Sequence, residues 1–224
     1  MYRSLMRFLQ LSNKMVPGRL VALVLTCIVL SSAGCSSAYK KLQTGTGNAD
    51  CIFKFTPAFS STLYNTHVNV VGKHLSGLLL FKRMPDSSMR IVFSSEMGAK
   101  FFDFEFGADG AFKVHQVMSQ LNKKAVIKTL KNDFELILMS GLSPLEAVVK
   151  QDSLYTWHGF PKGSDTYYYV TTKNCDSLVK IEHAMKRKPK VQMIMSGYKQ
   201  GVPDTIGISH RNFNFDIGLK YIHR

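Results

Sequence analysis

Motifs that carry chemistry are scarce in this chain. The seven histidines are scattered, and no HxH, HExxH or CxxC spacing sets up a metal site. There is no GxSxG elbow and no glycine-rich phosphate loop. These absences leave nothing that points to metal, acyl-transfer or nucleotide chemistry, and the expectation is a protein that is not an enzyme and holds no cofactor or metal. Acidic residues are also few, 15 Asp+Glu against 29 Lys+Arg, for a formal net charge of +14. No apolar run reaches the ~20 residues that a permanent membrane helix needs.

What is present begins at the N-terminus. Arg3, Arg7, Lys14 and Arg19 precede an apolar run from Leu20 to Leu30, and Ser31-Ser32-Ala33-Gly34 then lead into Cys35. A basic region, an apolar region of roughly 7–15 residues and a small-residue exit are the parts of a secretory signal peptide. The cysteine after Ala-Gly resembles the lipobox of bacterial lipoproteins, which implies a signal peptide over 1–34 and a mature chain acylated at Cys35 with palmitate-type chains. An ordinary signal peptide with an incidental cysteine is the alternative. Removing the leader takes away four of the 29 basic residues and none of the 15 acidic ones, leaving about +10. Such a surface suits nucleic acid, an anionic membrane or an acidic partner, or simply keeps a domain soluble. Export disfavours nucleic acid, and an acyl anchor favours anionic lipid, because one chain alone anchors weakly.

Residues 36–50 are small and polar and read as a flexible tether. They lack an acidic cluster resembling a surface-export tag, which leans towards a domain facing the periplasm. Residues 51–224 are long enough for one domain with its own core. Within it, Cys51 and Cys175 are either a disulfide or two buried thiols. Alternating segments, and a more uniformly apolar run at 75–82, predict strands at 63–71, 75–82, 89–94, 100–106, 111–117, 153–158, 166–172, 178–185, 191–196, 205–210 and 213–222. From Asn122 to Ser140 the period changes to that of a helix. Val126, Ile127, Leu130, Phe134, Ile137 and Leu138 form its apolar face, with Asn122 as N-cap and Gly141 as stop. Another short helix is expected at 145–150 behind Pro144.

About eleven antiparallel strands with one helical insertion make a mainly β chain. Its sheet closes into a barrel or stays open and covers its concave face with the helix. Gly77 to Phe106 resembles the opening strands of LolB-type outer-membrane lipoproteins, which accept lipoproteins from the soluble carrier LolA. The pattern is a Gly before an apolar strand, a short loop with an apolar residue before Gly, and a strand alternating into the next turn. The resemblance implies an open half-barrel under an α-helical lid, a cavity for the acyl chains of lipoproteins, a LolA-type partner, monomeric state and an outer-membrane location. It also gives the Glu96-Met97-Gly98 loop the place of a membrane-inserting hook. Met97 folding back into the core is the opposing reading. Face alternation offers Leu78, Leu80, Phe93, Phe102, Phe104, Tyr168, Met193, Met195 and Phe215 as cavity residues. Two rival functions stand beside lipoprotein insertion. One is an envelope assembly protein with a solid core, and the other a secreted hydrolase using Asp103 and Glu105, which share a strand face.

Overall fold

Alternating apolar and polar side chains let strands such as Ser61–Val70, Met89–Ser94 and Thr205–His210 bury one face, and strands run from Ser61 to Val117 and again from Val148 to Tyr221. The computed structural model describes residues 38–70 and 72–223; the leader and Cys35 lie outside the described residues. The elements are β1 (Gln43–Thr44), β2 (Ser61–Val70), β3 (Lys73–Arg83), β4 (Met89–Ser94), β5 (Lys100–Phe106), β6 (Phe112–Val117), α1 (Lys124–Leu138), β7 (Val148–Gln151), β8 (Tyr155–Lys162), β9 (Asp165–Thr172), β10 (Leu178–Met185), β11 (Lys188–Ser196), β12 (Thr205–His210) and β13 (Phe215–Tyr221). Short 3₁₀ segments occupy Ala49–Phe55 and Pro144–Glu146.

The strands form one antiparallel sheet in the order β1-β7-β8-β9-β10-β11-β12-β13-β2-β3-β4-β5-β6. Two meanders, β2–β6 and β7–β13, are joined where β13 pairs with β2. β1 and β6 do not pair, so the sheet is an open half-barrel with the helix on its concave side. Thirteen strands appear where about eleven were expected. The additional two are β1, inside the expected tether, and β7, inside the expected helix at 145–150. There Pro144 starts only one 3₁₀ turn before Val148 joins the sheet. At Gly77 a Cβ would stand 2.0 Å from the Ser94 carbonyl oxygen, so only glycine permits the close β3–β4 approach.

Helix α1 starts at Lys123, whose side chain makes no cap, rather than at Asn122. It stops before Gly141 because Met139 itself adopts the left-handed conformation (φ 52°), and the Ser140 N–H reaches back to the Glu135 carbonyl at 3.2 Å. That closure satisfies the last carbonyls two residues early. Leu130, Phe134 and Ile137 are buried, while Val126, Ile127 and Leu138 are half-buried against the same core. The Phe134 ring lies between Phe102 (5.7 Å), Phe81 (6.1 Å) and Phe106 (6.3 Å).

The stretch read as a free tether is docked from Tyr39 onward. The Tyr39 ring packs against Tyr168 (4.7 Å) and Trp157 (5.9 Å), and its hydroxyl donates to Glu182 Oε2 at 2.9 Å. An aromatic ring with a hydrogen-bonding tip has more to gain by docking on the outer sheet face than by staying in solvent. Further on, Cys51 and Cys175 form a disulfide with Cα atoms 6.4 Å apart. It ties the segment before β2 to the β9–β10 turn across 124 residues of sequence. Residues from Ala38 on form one unit with a continuous core of its own.

Because Phe134 is the ring through which the helix enters the aromatic floor, Phe134→Ala should lower unfolding free energy by about 3–5 kcal/mol. Urea denaturation of a fragment beginning at Ala38 measures this, with the half-buried Leu138→Ala expected to cost clearly less.

Candidate functional site

The space between helix and sheet is the natural place for a ligand in this architecture, and the sequence-derived cavity residues divide around it. Phe93, Phe102, Phe104, Met193, Met195 and Phe215 are buried on the concave side in the core that also holds Phe134 and Ile137. Leu78 and Leu80 are not there. β3 presents Leu79 and Phe81 to the core, and Leu78 and Leu80 line a groove of about 360 Å³ on the opposite face with Leu63, Met84 and Val92. Tyr168 is on the outer face as well, in the cluster of Tyr39, Trp157, Val170 and Ala184. Uniformly apolar or aromatic strands such as these carry no alternation to set the phase.

Two clefts open at the ends of the concave interior. One, of about 610 Å³, is lined by Phe55, Leu178, Met195 and Tyr198, with Lys54 and Asp176 at its margin. The Tyr198 hydroxyl is fixed by donating to the Phe55 carbonyl at 3.0 Å, and burial pushes its pKa up. The other, of about 270 Å³, lies between the first half of α1 and β10–β12, lined by Lys128, Asn132, Asp133, His183, His210 and Phe213 among others. Met195 is thus the one predicted cavity residue that reaches an open cleft among those described. Elsewhere beneath the helix the rings stack, Phe102 on Phe104 at 4.5 Å and Phe134 5.7 Å from Phe102.

The polar side of α1 is buried at two points. Asp133 is fully buried, with Oδ1 3.3 Å from His210 Nε2, and neither carboxylate oxygen has a well-aligned hydrogen bond. Burial raises the pKa of Asp133 against the opposing charges of His210 and His183. For His210, burial acts downward but Asp133 and the Phe215 carbonyl outweigh it, so its pKa is raised too. The pair therefore holds on to a proton. Two residues on, Glu135 is clasped by Lys162 (2.5 Å) and Lys131 (3.5 Å). Neither anchor is visible in the sequence, since each joins the helix to a strand far along the chain.

Met97 is 97 % exposed and does not fold back into the core. It stands at the tip of the β4–β5 hairpin. The turn is closed by Ser95 N–H to Ala99 O (2.8 Å), Gly98 N–H to Ser95 O (2.9 Å) and Ala99 N–H to the Ser95 hydroxyl (3.1 Å), with Gly98 at φ +84°. Glu96 and Gly98 are exposed beside it. The carboxylates of the hydrolase reading are both engaged. Asp103 is held by Arg90 (2.8 and 2.9 Å) and Lys100 (3.2 Å), and these contacts overcome burial to bring its pKa below the ordinary range. Glu105 meets His115 at 2.6 Å. Beside the disulfide, His158 is buried and its Nε2 lies 3.1 Å from the Thr171 hydroxyl.

No family model matches the sequence, and no curated protein matches it either. Among solved structures, a DUF1329 family protein from Desulfovibrio piger is similar over 79% of this chain and 90% of that one, at 9% identity and a TM-score of 0.44. A Vibrio parahaemolyticus domain, provisionally described as an outer membrane lipoprotein-sorting protein, is similar over the same shares at 7% identity and a TM-score of 0.42. Identities this low transfer no residue's role. Among the described residues no helix is long and apolar enough to cross a membrane.

Burial alone holds the His158 pKa down to about 4, against 6.5 for an unconstrained histidine. The unfolded chain therefore takes up the proton first. Stability is intact above pH 6.5 and is lost as pH falls from 6.5 towards 4. In His158→Gln this part of the acid limb should flatten. Urea midpoints of wild type and variant that ran parallel across that window would contradict the assignment.

Proposed function

We propose that this chain is a lipid-anchored protein of the cell envelope whose half-barrel takes up acyl chains beside its helix and helps deliver them, as parts of lipoproteins, to the outer membrane. The observation that carries the reading is Met97. A wholly exposed apolar side chain is costly in water, and here a hydrogen-bonded turn holds it out where no described residue covers it. A flexible, polarizable thioether suits entry into the soft boundary of a bilayer. The two clefts at the ends of the concave interior give an acyl chain a place to begin displacing side chains. The resemblance to LolB-type proteins assigns the same hairpin the same task, a soluble LolA-type carrier as donor, and Cys35 as the acylated anchor.

No bond is made or broken in such a transfer. Each buried CH₂ is worth about 0.8 kcal/mol wherever it is buried, so direction comes from small differences between carrier, half-barrel and bilayer. The stacked rings beneath the helix favour a second reading, an envelope assembly protein with a solid core. Binding of a fluorescent acyl-chain probe separates the two, because a solid core takes up none.

Met97→Glu should leave the urea midpoint within about 0.5 kcal/mol of wild type, as expected for a surface site. It should abolish movement of an acyl-labelled lipopeptide from the protein to vesicles. Transfer at the wild-type rate by this variant would remove the hairpin from the mechanism.

A further inference from the structure

Strand direction sorts the loops. β2, β4, β6, β8, β10 and β12 run one way and their neighbours the other, so the turns after β2, β4, β8, β10 and β12 share one end of the half-barrel with the start of α1. That end is basic. Its turns and the strand ends beside them carry exposed Lys73, Lys186, Arg187, Lys188 and Arg211, and the helix adds exposed Lys123, Lys124 and Lys128. Glu96 is the one acidic residue in the described parts of those turns, with Asp165 and Asp216 on the strand ends beside them, whereas the turns at the opposite end hold Asp86, Asp109, Asp152, Asp176 and Asp204 beside Lys173 and Lys199. Apolar side chains stand among the cations: Met97, Phe213 (44 % exposed) and Met185 (38 % exposed).

Two further observations give this end an orientation. The first turn of α1 contains no acidic residue, and its lysines sit at the positive end of the helix dipole, an arrangement that an external negative surface relieves. The docked N-terminal segment lies over the half of β10 nearer that end, where Tyr39 packs with Ala184 and Glu182. Tyr39 is fixed on Glu182 and stands four positions after Cys35 in the sequence. At no more than about 3.6 Å per residue, an acyl group on Cys35 would enter the bilayer within roughly 14 Å of Tyr39.

We propose that this end is a docking face for a bilayer rich in anionic phospholipid, engaged by the β10–β11 and β12–β13 turns and the first turn of α1. The inference deepens the membrane-facing reading above and rests on it for the place of the anchor. Specificity lies in the cations, and the half-exposed Phe213 and Met185 supply a shallow apolar contact between them.

The test uses the fragment beginning at Ala38, without an acyl anchor or cargo. Its binding is measured to vesicles of phosphatidylcholine alone and to vesicles in which phosphatidylglycerol replaces part of it. Binding to the anionic vesicles should be strong, should weaken with added salt, and should drop about thirtyfold in K186Q/K188Q, given the usual contribution of a lysine near a charged surface. The pair K173Q/K199Q, at the opposite end, should bind like wild type, and urea midpoints confirm that both variants fold. Equal affinity for neutral and anionic vesicles would overturn the proposal, as it would if the face served an acidic protein. So would undiminished binding by K186Q/K188Q, or an equal loss in K173Q/K199Q. Because no acyl chain is transferred, failure of the cargo reading leaves this result readable, and the reverse also holds.

Discussion

An open sheet leaves a concave apolar face that something must cover, and here a single helix of 15 residues covers it. The remaining architecture follows from that disproportion. One helix cannot shield a wide trough with small side chains, so the floor is built from large rings. Phe81, Phe102 and Phe106 rise from the strands to meet Phe134, and Phe104 stacks on Phe102. Aromatic rings bury the most area per residue and tolerate edge and offset contacts, which suits a curved surface. The open sheet also keeps two edges, and both are made poor templates for further pairing. β1 is only two residues long, and β6 is largely solvent-exposed.

Covering the trough this way fixes the helix less by its apolar face than by its charges. Greasy contacts are non-directional and would let the helix slide along the floor. Asp133 against His210 pins its C-terminal half to β12, and Glu135, two residues on and held by Lys131 and Lys162, pins the same half to β8. Burying carboxylates is costly, and an interaction retained at that cost acts on position more than on stability. The two anchors are unequal. Glu135 has strong, close cations at a partly open site, whereas Asp133 lacks aligned donors and borders a cleft. The side of the helix that faces His210 is therefore the one that yields more readily to a guest.

Period-two alternation made most of the sheet legible in the sequence. β4, β5, β10 and β12 have the bounds expected for them, because each alternates or is framed by turn residues. Legibility failed where alternation failed. In Leu75 to Lys82 both faces are apolar, so Leu78 and Leu80 were assigned to the interior that Leu79 and Phe81 occupy. The run Thr166 to Thr172 hid the outward position of Tyr168 in the same way. β1 and β7 are too short to show a period, and the docking of Tyr39 depends on Glu182, 143 residues away. Separation along the chain also hid the partners His210 and Lys162 of the helix carboxylates. Asp133 and Glu135 look like the solvated side of an amphipathic helix until His210 and Lys162 are folded against them.

The docked N-terminal segment alters what an anchor would do mechanically. A long free tether lets a domain tumble above a membrane, and its loops meet the surface at random. With Tyr39 packed against Trp157 and Tyr168, the chain is docked from a point four positions after Cys35. Under the proposed reading, an acyl group on Cys35 would keep the domain within reach of the bilayer while one end of the half-barrel meets it. The Met97 hairpin and the cleft beside His210 belong to that same end. A short leash of this kind replaces a search over orientations with a single presented edge, so the entropic cost of bringing hairpin and cleft to the bilayer would be met by acylation rather than by each encounter.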